Sequence, residues 1–126
     1  KINNNRLSTW ASYHDAFSEL ESDHLVELPT IPEACKHNAH MFYIKLKNLE
    51  QRTDFISFLK SKGIQASFHY VPLHSSPAGE RFGRFDGVDE FTTRESDRLV
   101  RLPLYYGMSE SDRNHVIEAV LSYFSR

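Results

Sequence analysis

Three residues whose side chains can bind a polar ligand stand close together in the sequence: His69, Tyr70 and His74. Imidazole and phenol groups can hydrogen-bond sugar hydroxyls or phosphate oxygens. Loose alternation of apolar and polar residues predicts a strand over 64–70, and Pro72 favours an extended path just after it. Polar groups at the junction of a strand and a loop are a common way to present chemistry from a rigid base. We therefore treat these three residues as the candidate site, with packing and solvent exposure as the open alternative.

A second cluster could supply metal ligands. Cys35, His37 and His40 are close in sequence, and His69 and His74 follow further along the chain. Structural zinc sites use four ligands and usually show paired cysteines at short spacing. This chain has one cysteine, so we expect scattered histidines and no metal site.

Two further kinds of site have weaker signals. Cys35 and His37 could form an activated thiol pair, but no oxyanion-hole pattern accompanies them, which favours an inert thiol. Arg81 and Arg84 lie in a basic stretch that could touch a phosphate. Because no glycine-rich turn precedes a helix in the way that phosphate-binding loops require, a solvated loop is the simpler interpretation.

The composition is that of a globular protein with a single domain over residues 1–126, with 40% hydrophobic and 25% charged residues. A net charge of −2 with mixed signs argues against a nucleic-acid or membrane partner. Cys35 stands alone, so an intrachain disulfide is excluded and a reducing compartment is expected. No apolar run approaches the roughly 20 residues of a membrane span. We expect a cytoplasmic protein.

The centre of the chain predicts a β-α-β unit. Alternation favours a strand within 40–47, and Asn48 is a suitable N-cap for a helix over about 49–61. Gly63 can adopt the left-handed conformation that ends the helix, and the strand over 64–70 follows at once. Whether another strand lies between these two is left open by the pattern.

Four further elements surround that unit. Apolar residues at intervals of three to four predict an amphipathic helix over about 3–22. The glycine-rich stretch 75–91 predicts a long surface loop, which ends where Thr92 is placed to cap a short helix. An extended segment over 100–105 and a final helix capped by Ser109 complete the chain.

Several segments, taken together, resemble the C-terminal portion of the DegT/DnrJ/EryC1/StrS sugar aminotransferases. The two most specific blocks are His69-Tyr70-Val71-Pro72-Leu73-His74 and Arg101-Leu102-Pro103-Leu104-Tyr105. The order and spacing match over about residues 1–125. The supporting segments are 40–44, 55–59 and 63–64. The stretches 76–83 and 92–96 are most similar to one branch of the family, which acts in enterobacterial common antigen synthesis.

The resemblance implies an α/β fold: the C-terminal small domain of a fold-type I transferase dependent on pyridoxal phosphate, with a small, mainly antiparallel sheet flanked by helices. Residues 1–22 would be the end of a long interdomain helix. The chain begins at Lys1 without an initiator methionine and a helical pattern is running by Leu7, so we expect a piece of a longer protein; simple processing is the alternative. The implied partners are a missing N-terminal large domain and a second subunit in a homodimer.

The resemblance also implies the reaction. The intact enzyme would use pyridoxal 5'-phosphate to move an amino group from L-glutamate to dTDP-4-keto-6-deoxy-D-glucose. The Schiff-base lysine of the family lies outside this chain, so we assign no catalytic and no cofactor-binding residue here. We expect the fragment alone to be inactive and to bind no cofactor. His69, Tyr70 and His74 would bind substrate. A self-standing ligand-binding or regulatory α/β module remains the alternative.

Overall fold

Three long helices and a two-stranded antiparallel sheet form the packed part of the chain in the computed structural model, which describes residues 1–126. The packed elements, in chain order, are α1 (Ile2–Ser22), β1 (Phe42–Lys45), α2 (Leu49–Ser61), β2 (Leu99–Leu102) and α5 (Glu110–Phe124). Between α2 and β2 lie a 3₁₀ turn (Leu73–Ser75), α3 (Pro77–Phe82) and α4 (Thr92–Arg98). No helix combines the length and the apolar character of a membrane span.

Helix α1 confirms the amphipathic pattern that predicts it. Tyr13, Phe17 and Leu20 recur at three- and four-residue intervals, and all three are buried. The Tyr13 hydroxyl donates a hydrogen bond to the Pro103 carbonyl at 2.9 Å. This bond joins α1 to the chain just after β2, so the first helix and the central strand are held together directly.

Helix α2 begins and ends where its flanking residues predict. The Asn48 side chain accepts a hydrogen bond of 2.9 Å from the Gln51 amide, as an N-cap does. The Gln51 side chain accepts from the Lys47 amide at 2.9 Å, which satisfies a second free donor. Gly63 has φ +75°, the left-handed conformation that glycine adopts without strain. Local chemistry thus determines both ends of α2.

The predicted strand over 64–70 is wrong in its extent. Only Ser67 forms a bridge, antiparallel to Arg101, through backbone bonds of 2.7 and 3.1 Å. The segment from Gln65 to Ser67 lacks the β-branched residues that favour a longer strand. From Phe68 to Pro72 the chain forms no strand or bridge. The rigid base expected for the candidate site is therefore a single bridge.

The bridge at Ser67 also shows whether another strand lies between β1 and the segment around Ser67, which the sequence pattern leaves open. Strand β2 pairs with β1, with Phe42 opposite Leu102, and on its other side it pairs with Ser67. Because both neighbours are antiparallel to β2, they run parallel to each other, and α2 is the crossover between them. On the outer side of β1, Glu27 bridges to Lys45. The sheet is small and antiparallel, as expected.

The core lies where one face of the sheet meets α1, α2 and α5. Phe42, Ile44, Val100 and Leu102 are the inward residues of the two strands, and all are fully or almost fully buried. The remaining members of the core come from the helices and loops; they are Tyr13, Phe17, Leu20, Val26, Leu28, Leu46, Phe55, Leu59, Ile64, Met108, Val116, Ala119 and Val120. The cluster encloses enough apolar surface for one hydrophobic core.

Residues 68–91, which we call the arm, differ from the predicted loop. Helix α3 forms inside them, and the Ser76 hydroxyl accepts a 3.0 Å bond from the Gly79 amide at its start. The predicted Thr92 cap is wrong: the Asp89 carboxylate accepts from the Thr92 amide at 2.8 Å and from the Thr93 amide at 3.1 Å. A carboxylate three residues ahead does the same work as a capping hydroxyl. The arm contains no buried residue.

Candidate functional site

His69 and Tyr70 form an exposed aromatic pair where the arm leaves the sheet. Their ring centroids are 4.4 Å apart. Tyr70 is 73% exposed and His69 is half-buried. The Ser96 hydroxyl of α4 donates a hydrogen bond to the Tyr70 carbonyl. The backbone of Tyr70 is therefore held by α4, while the Tyr70 ring is exposed to solvent.

The pair lines a shallow cleft of about 400 Å³ between the start of the arm and α4. Its lining residues are His69, Tyr70, Val71, Pro72, Leu73, Thr92, Glu95, Ser96 and Leu99. The cleft is lined by both apolar and polar residues, so a ligand there could be bound by apolar contacts and by hydrogen bonds.

A larger groove, of about 450 Å³, lies at the other end of β2 beside α5. There the Asp112 carboxylate accepts bonds from Ser109 at 2.7 Å and Tyr105 at 3.4 Å. His115 bonds to the Lys62 carbonyl at 2.9 Å. We take the smaller cleft as the candidate site because it contains the His69–Tyr70 pair, whereas the polar groups named in this groove bond within the chain.

His74, the third predicted site residue, is directed elsewhere. Its Nε2 lies 2.9 Å from the Asp89 carboxylate, and its ring packs on Phe85 at 4.5 Å between centroids. Asp89 also accepts the Thr93 hydroxyl at 2.5 Å, and this bond is the main cause that lowers the pKa of Asp89. The structure thus brings His69 and Tyr70 together and uses His74 to tie the 3₁₀ turn to the end of the arm.

Gly79 shapes the arm. A Cβ at this position would lie 1.6 Å from the Leu73 carbonyl oxygen, which is backbone and cannot move aside cheaply. Only glycine therefore allows α3 to approach the 3₁₀ turn this closely. The His74 segment and α3 form one unit because of that contact.

Arg52 supports the site from behind and is missed by sequence reasoning. Its Nη1 donates a 2.5 Å bond to the Ser96 carbonyl, and its guanidinium lies 4.3 Å from the centroid of the Phe68 ring. Burial lowers the pKa of Arg52. The available signal is its position, three residues before Phe55 and seven before Leu59, on the apolar stripe of α2.

A network of charges anchors α4 to the sheet. Lys45 lies 2.7 Å from one Glu95 oxygen, and Arg98 lies 3.4 Å from the other. Glu27 pairs with both cations. Arg98 also donates to the Leu46 carbonyl at 2.7 Å. These pairs place α4, and therefore Ser96, at a defined position on the edge of the sheet.

The lysines of this chain do not fit the aldehyde of a pyridoxal cofactor. A Schiff-base lysine needs access to its neutral amine, which usually requires a lowered pKa. The hydrogen bond with Glu95 raises the pKa of Lys45, and every other lysine is exposed. That the Schiff-base lysine lies outside this chain stays a prediction.

The other sequence candidates are separate from the cleft. Cys35 is exposed, and His37 packs edge-on against Trp10, with 4.7 Å between ring centroids. No group of three His, Cys, Asp or Glu side chains is placed to hold a metal ion. The Arg81 guanidinium lies over the Phe82 ring at 4.9 Å. We therefore build no site on these residues.

Comparison with known proteins identifies the fold. TlmJ, an aminotransferase from Streptoalloteichus hindustanus, superposes with a TM-score of 0.83 at 20% identity, over 99% of this chain and 33% of its own. NtdA from Bacillus subtilis, with bound PMP, superposes with a TM-score of 0.82 at 24% identity, over 99% of this chain and 29% of its own. These matches confirm the predicted small aminotransferase fold.

Sequence comparison identifies the family. An uncharacterized protein of Methanocaldococcus jannaschii is 32% identical over 86% of this chain and 28% of its own length. The chain thus spans about a third or less of the relatives that it matches. Residues 1–121 match the DegT/DnrJ/EryC1/StrS aminotransferase family. The chain belongs to the DegT/DnrJ/EryC1/StrS aminotransferase family.

Proposed function

We propose that this chain is the C-terminal small domain of a sugar aminotransferase dependent on pyridoxal phosphate, with the His69–Tyr70 pair forming one wall of the sugar-nucleotide site. The observation that carries the proposal is the exposed pair itself, held from behind by α4 at the edge of a cleft. Family membership supplies the reaction class.

The exposed apolar surface of the arm supports a missing partner. Large hydrophobic side chains lie along the arm and in contact with solvent; they are Phe68, Tyr70, Val71, Leu73, Phe82, Phe85, Val88 and Phe91. Apolar surface concentrated in one region commonly marks an interaction site. Because related aminotransferases are about three times as long as this chain, the partner that we propose is the large domain of the same enzyme.

The chemical step belongs to that large domain. Pyridoxal phosphate, when bound there, supplies the electron sink for amino transfer. In this chain, the His69 imidazole and the Tyr70 hydroxyl bind and orient the sugar nucleotide by hydrogen bonds. His74 keeps the arm in place through Asp89.

For the substrates we propose L-glutamate as amino donor and dTDP-4-keto-6-deoxy-D-glucose as acceptor. The resemblance of the stretches 76–83 and 92–96 to one branch of the family supports the acceptor. The test is single-turnover amination by the complete polypeptide with this sugar and with its UDP-linked counterpart. A preference for the UDP sugar would overturn the choice of nucleotide without affecting the reaction class.

We propose a cytoplasmic homodimer as the working form. The lone, exposed thiol of Cys35 is in keeping with a reducing compartment. Light scattering of the complete polypeptide measures its mass in solution, and a monomer that remains active would contradict the dimer.

The site is tested by Tyr70→Phe and His69→Ala in the complete polypeptide. We expect either change to raise KM or lower kcat for the sugar nucleotide by about 10- to 100-fold, because an orienting group is lost. The absorbance of the bound cofactor and its conversion by L-glutamate stay unchanged. Tyr106→Phe is the matched control, since Tyr106 is exposed outside the arm. Loss of cofactor absorbance in the site variants would contradict a substrate-side role.

The alternative, a self-standing binding module, has its own test. Calorimetry of residues 1–126 with the dTDP sugar should show no saturable binding, because the proposed site needs the large domain. Tight binding by this chain alone would favour the module instead.

A further inference from the structure

We propose that Arg52 is a positioning residue for substrate binding: it holds the His69–Tyr70 pair in place through its contacts with Phe68, which precedes the pair, and with Ser96, which binds the Tyr70 backbone. The inference deepens the proposed function and rests on it for its consequence in catalysis. Its structural part, that Arg52 sets the geometry of the pair, stands on contacts alone.

Arg52 is in an unusual setting for a charged side chain. It is only 8% exposed, and its Nε is buried without a hydrogen-bond partner. No carboxylate forms an ion pair with it, although Asp97 is near enough to favour the charged form. Burial of an unpaired cation opposes folding, and an apolar residue on the stripe of α2 would avoid that cost. The guanidinium must therefore provide something that an apolar side chain does not.

Arg52 has two contacts near the pair. Its guanidinium carbon lies over the ring of Phe68, the residue directly before His69, at 4.3 Å from the ring centroid. Arg52 also donates to the Ser96 carbonyl, and the Ser96 hydroxyl donates to the Tyr70 carbonyl. The arginine thus reaches the backbone of Tyr70 through a single intermediate residue.

The Ser96 carbonyl is one that α4 cannot satisfy by itself. It lies in the last turn of the helix, where carbonyls have no amide partner within the helix. Two nearby carbonyls of α4 have other donors: the Glu95 carbonyl accepts from the Leu99 amide, and the Arg98 carbonyl accepts from the Leu46 amide. Without Arg52, the Ser96 carbonyl loses its hydrogen-bond donor. The last turn of α4, which holds the Tyr70 carbonyl through the Ser96 hydroxyl, then loses its hydrogen bond to α2.

The planar fork of arginine suits both contacts at once. It stacks on a ring while its edge donates a hydrogen bond, which an ammonium group on a flexible stem cannot reproduce. Arg52→Lys therefore keeps the positive charge and loses the combined contacts with the Phe68 ring and the Ser96 carbonyl. Arg52→Met keeps the length, removes the charge and relieves its burial.

The kinetic test uses the complete aminotransferase polypeptide carrying Arg52→Met or Arg52→Lys. We expect about a tenfold or greater loss of kcat/KM for the sugar nucleotide, expressed mainly in KM, with the L-glutamate step unchanged. Arg113→Met is the matched control: Arg113 also has a buried Nε without a partner, but it lies on α5. An equal loss in the control, or no loss in both Arg52 variants, would overturn the inference. If Arg52→Met fails to fold, Arg52→Lys decides the question.

A second measurement separates this inference from the proposed function. NMR of residues 1–126 reports the ring resonances of His69 and Tyr70, which shield each other at 4.4 Å. We expect both Arg52 variants to move these resonances and Arg113→Met to leave them in place. Unmoved resonances would refute the positioning role. If they move while Tyr70→Phe and His69→Ala leave sugar turnover intact, the proposed function fails and the positioning role stands.

Discussion

The packed body of the chain and its arm contain similar apolar residues but use them in opposite ways. Phe42 and Phe55 in the body are fully buried, whereas Phe82 and Phe91 in the arm are 79% and 62% exposed. The body is held by burial of apolar surface. The arm is held by caps, the His74–Asp89 pair and the close approach at Gly79. Apolar content alone therefore does not define a core; what matters is whether the chain supplies an opposing surface.

The sharpest test of this contrast is a pair of matched truncations. Phe42→Ala should lower the free energy of unfolding by about 3–5 kcal/mol, because it leaves a cavity among the rings of Trp10, Tyr13 and Phe17. Phe82→Ala should change it by less than about 0.5 kcal/mol, because that ring faces solvent. Urea unfolding followed by circular dichroism measures both. Comparable losses would show that the arm belongs to the cooperative unit.

Two helix caps of the same chemistry provide a finer test. Asn48→Ala should cost about 1 kcal/mol of unfolding free energy, because α2 is part of the body. Ser76→Ala removes an equivalent bond at the start of α3, and we expect no change in global stability, only faster exchange of the Gly79 amide. Asn48→Asp, which keeps an acceptor, is the control. A loss of unfolding free energy for the whole chain on Ser76→Ala would contradict the energetic separation of the arm from the body.

Alkaline pH should affect the body through Tyr123. Burial, aided by the hydrogen bond to Asp54 at 2.9 Å, raises its pKa from 10.0 to about 12. A raised folded pKa means that its contribution to stability is full below pH 10 and is lost as the pH rises towards 12. The difference between the 295 nm titrations of the parent and Tyr123→Phe isolates this group. A midpoint near 10 would refute its burial.

Acid should affect the arm through Asp89. Of the changes described here, we expect this one to alter the stability of the whole chain least. Its hydrogen bond with Thr93 lowers its pKa below 3.8, so its contribution is full above the ordinary value and is lost as the pH falls through the lowered one. We expect the Thr92 and Thr93 amide resonances to move in that range while the body stays folded. Asp89→Asn should abolish the transition. Movement that persists in this variant would assign it to another group.

The helices could be predicted because their signals are local. The stripe of α1, the Asn48 cap and Gly63 all act within a few residues, and the structure has each element close to its predicted bounds. The same is true of Ser109, whose hydroxyl accepts from the Asp112 amide at 3.0 Å. The overall fold was predicted from the family resemblance, because no local sequence pattern indicates it.

The remaining features depend on contacts between distant residues. The insertion of β2 beside Ser67 and the link from Arg52 to Ser96 join positions more than thirty residues apart. The capping role of Asp89 was missed because Thr92 offered an equally good local pattern. Of the predicted site, His69 and Tyr70 lie together, but the partner of His74 comes from the far end of the arm.

The order of strands has a consequence for synthesis of the chain. β2 is the inner strand, yet the ribosome makes it after both of its neighbours, β1 and the Ser67 segment. At roughly 5–20 residues per second, the facing edge of β1 waits about 3–11 s before Leu99–Leu102 emerges. Until then its amides and carbonyls are open to any other extended chain. Nascent β1 is therefore where we expect a chaperone to bind.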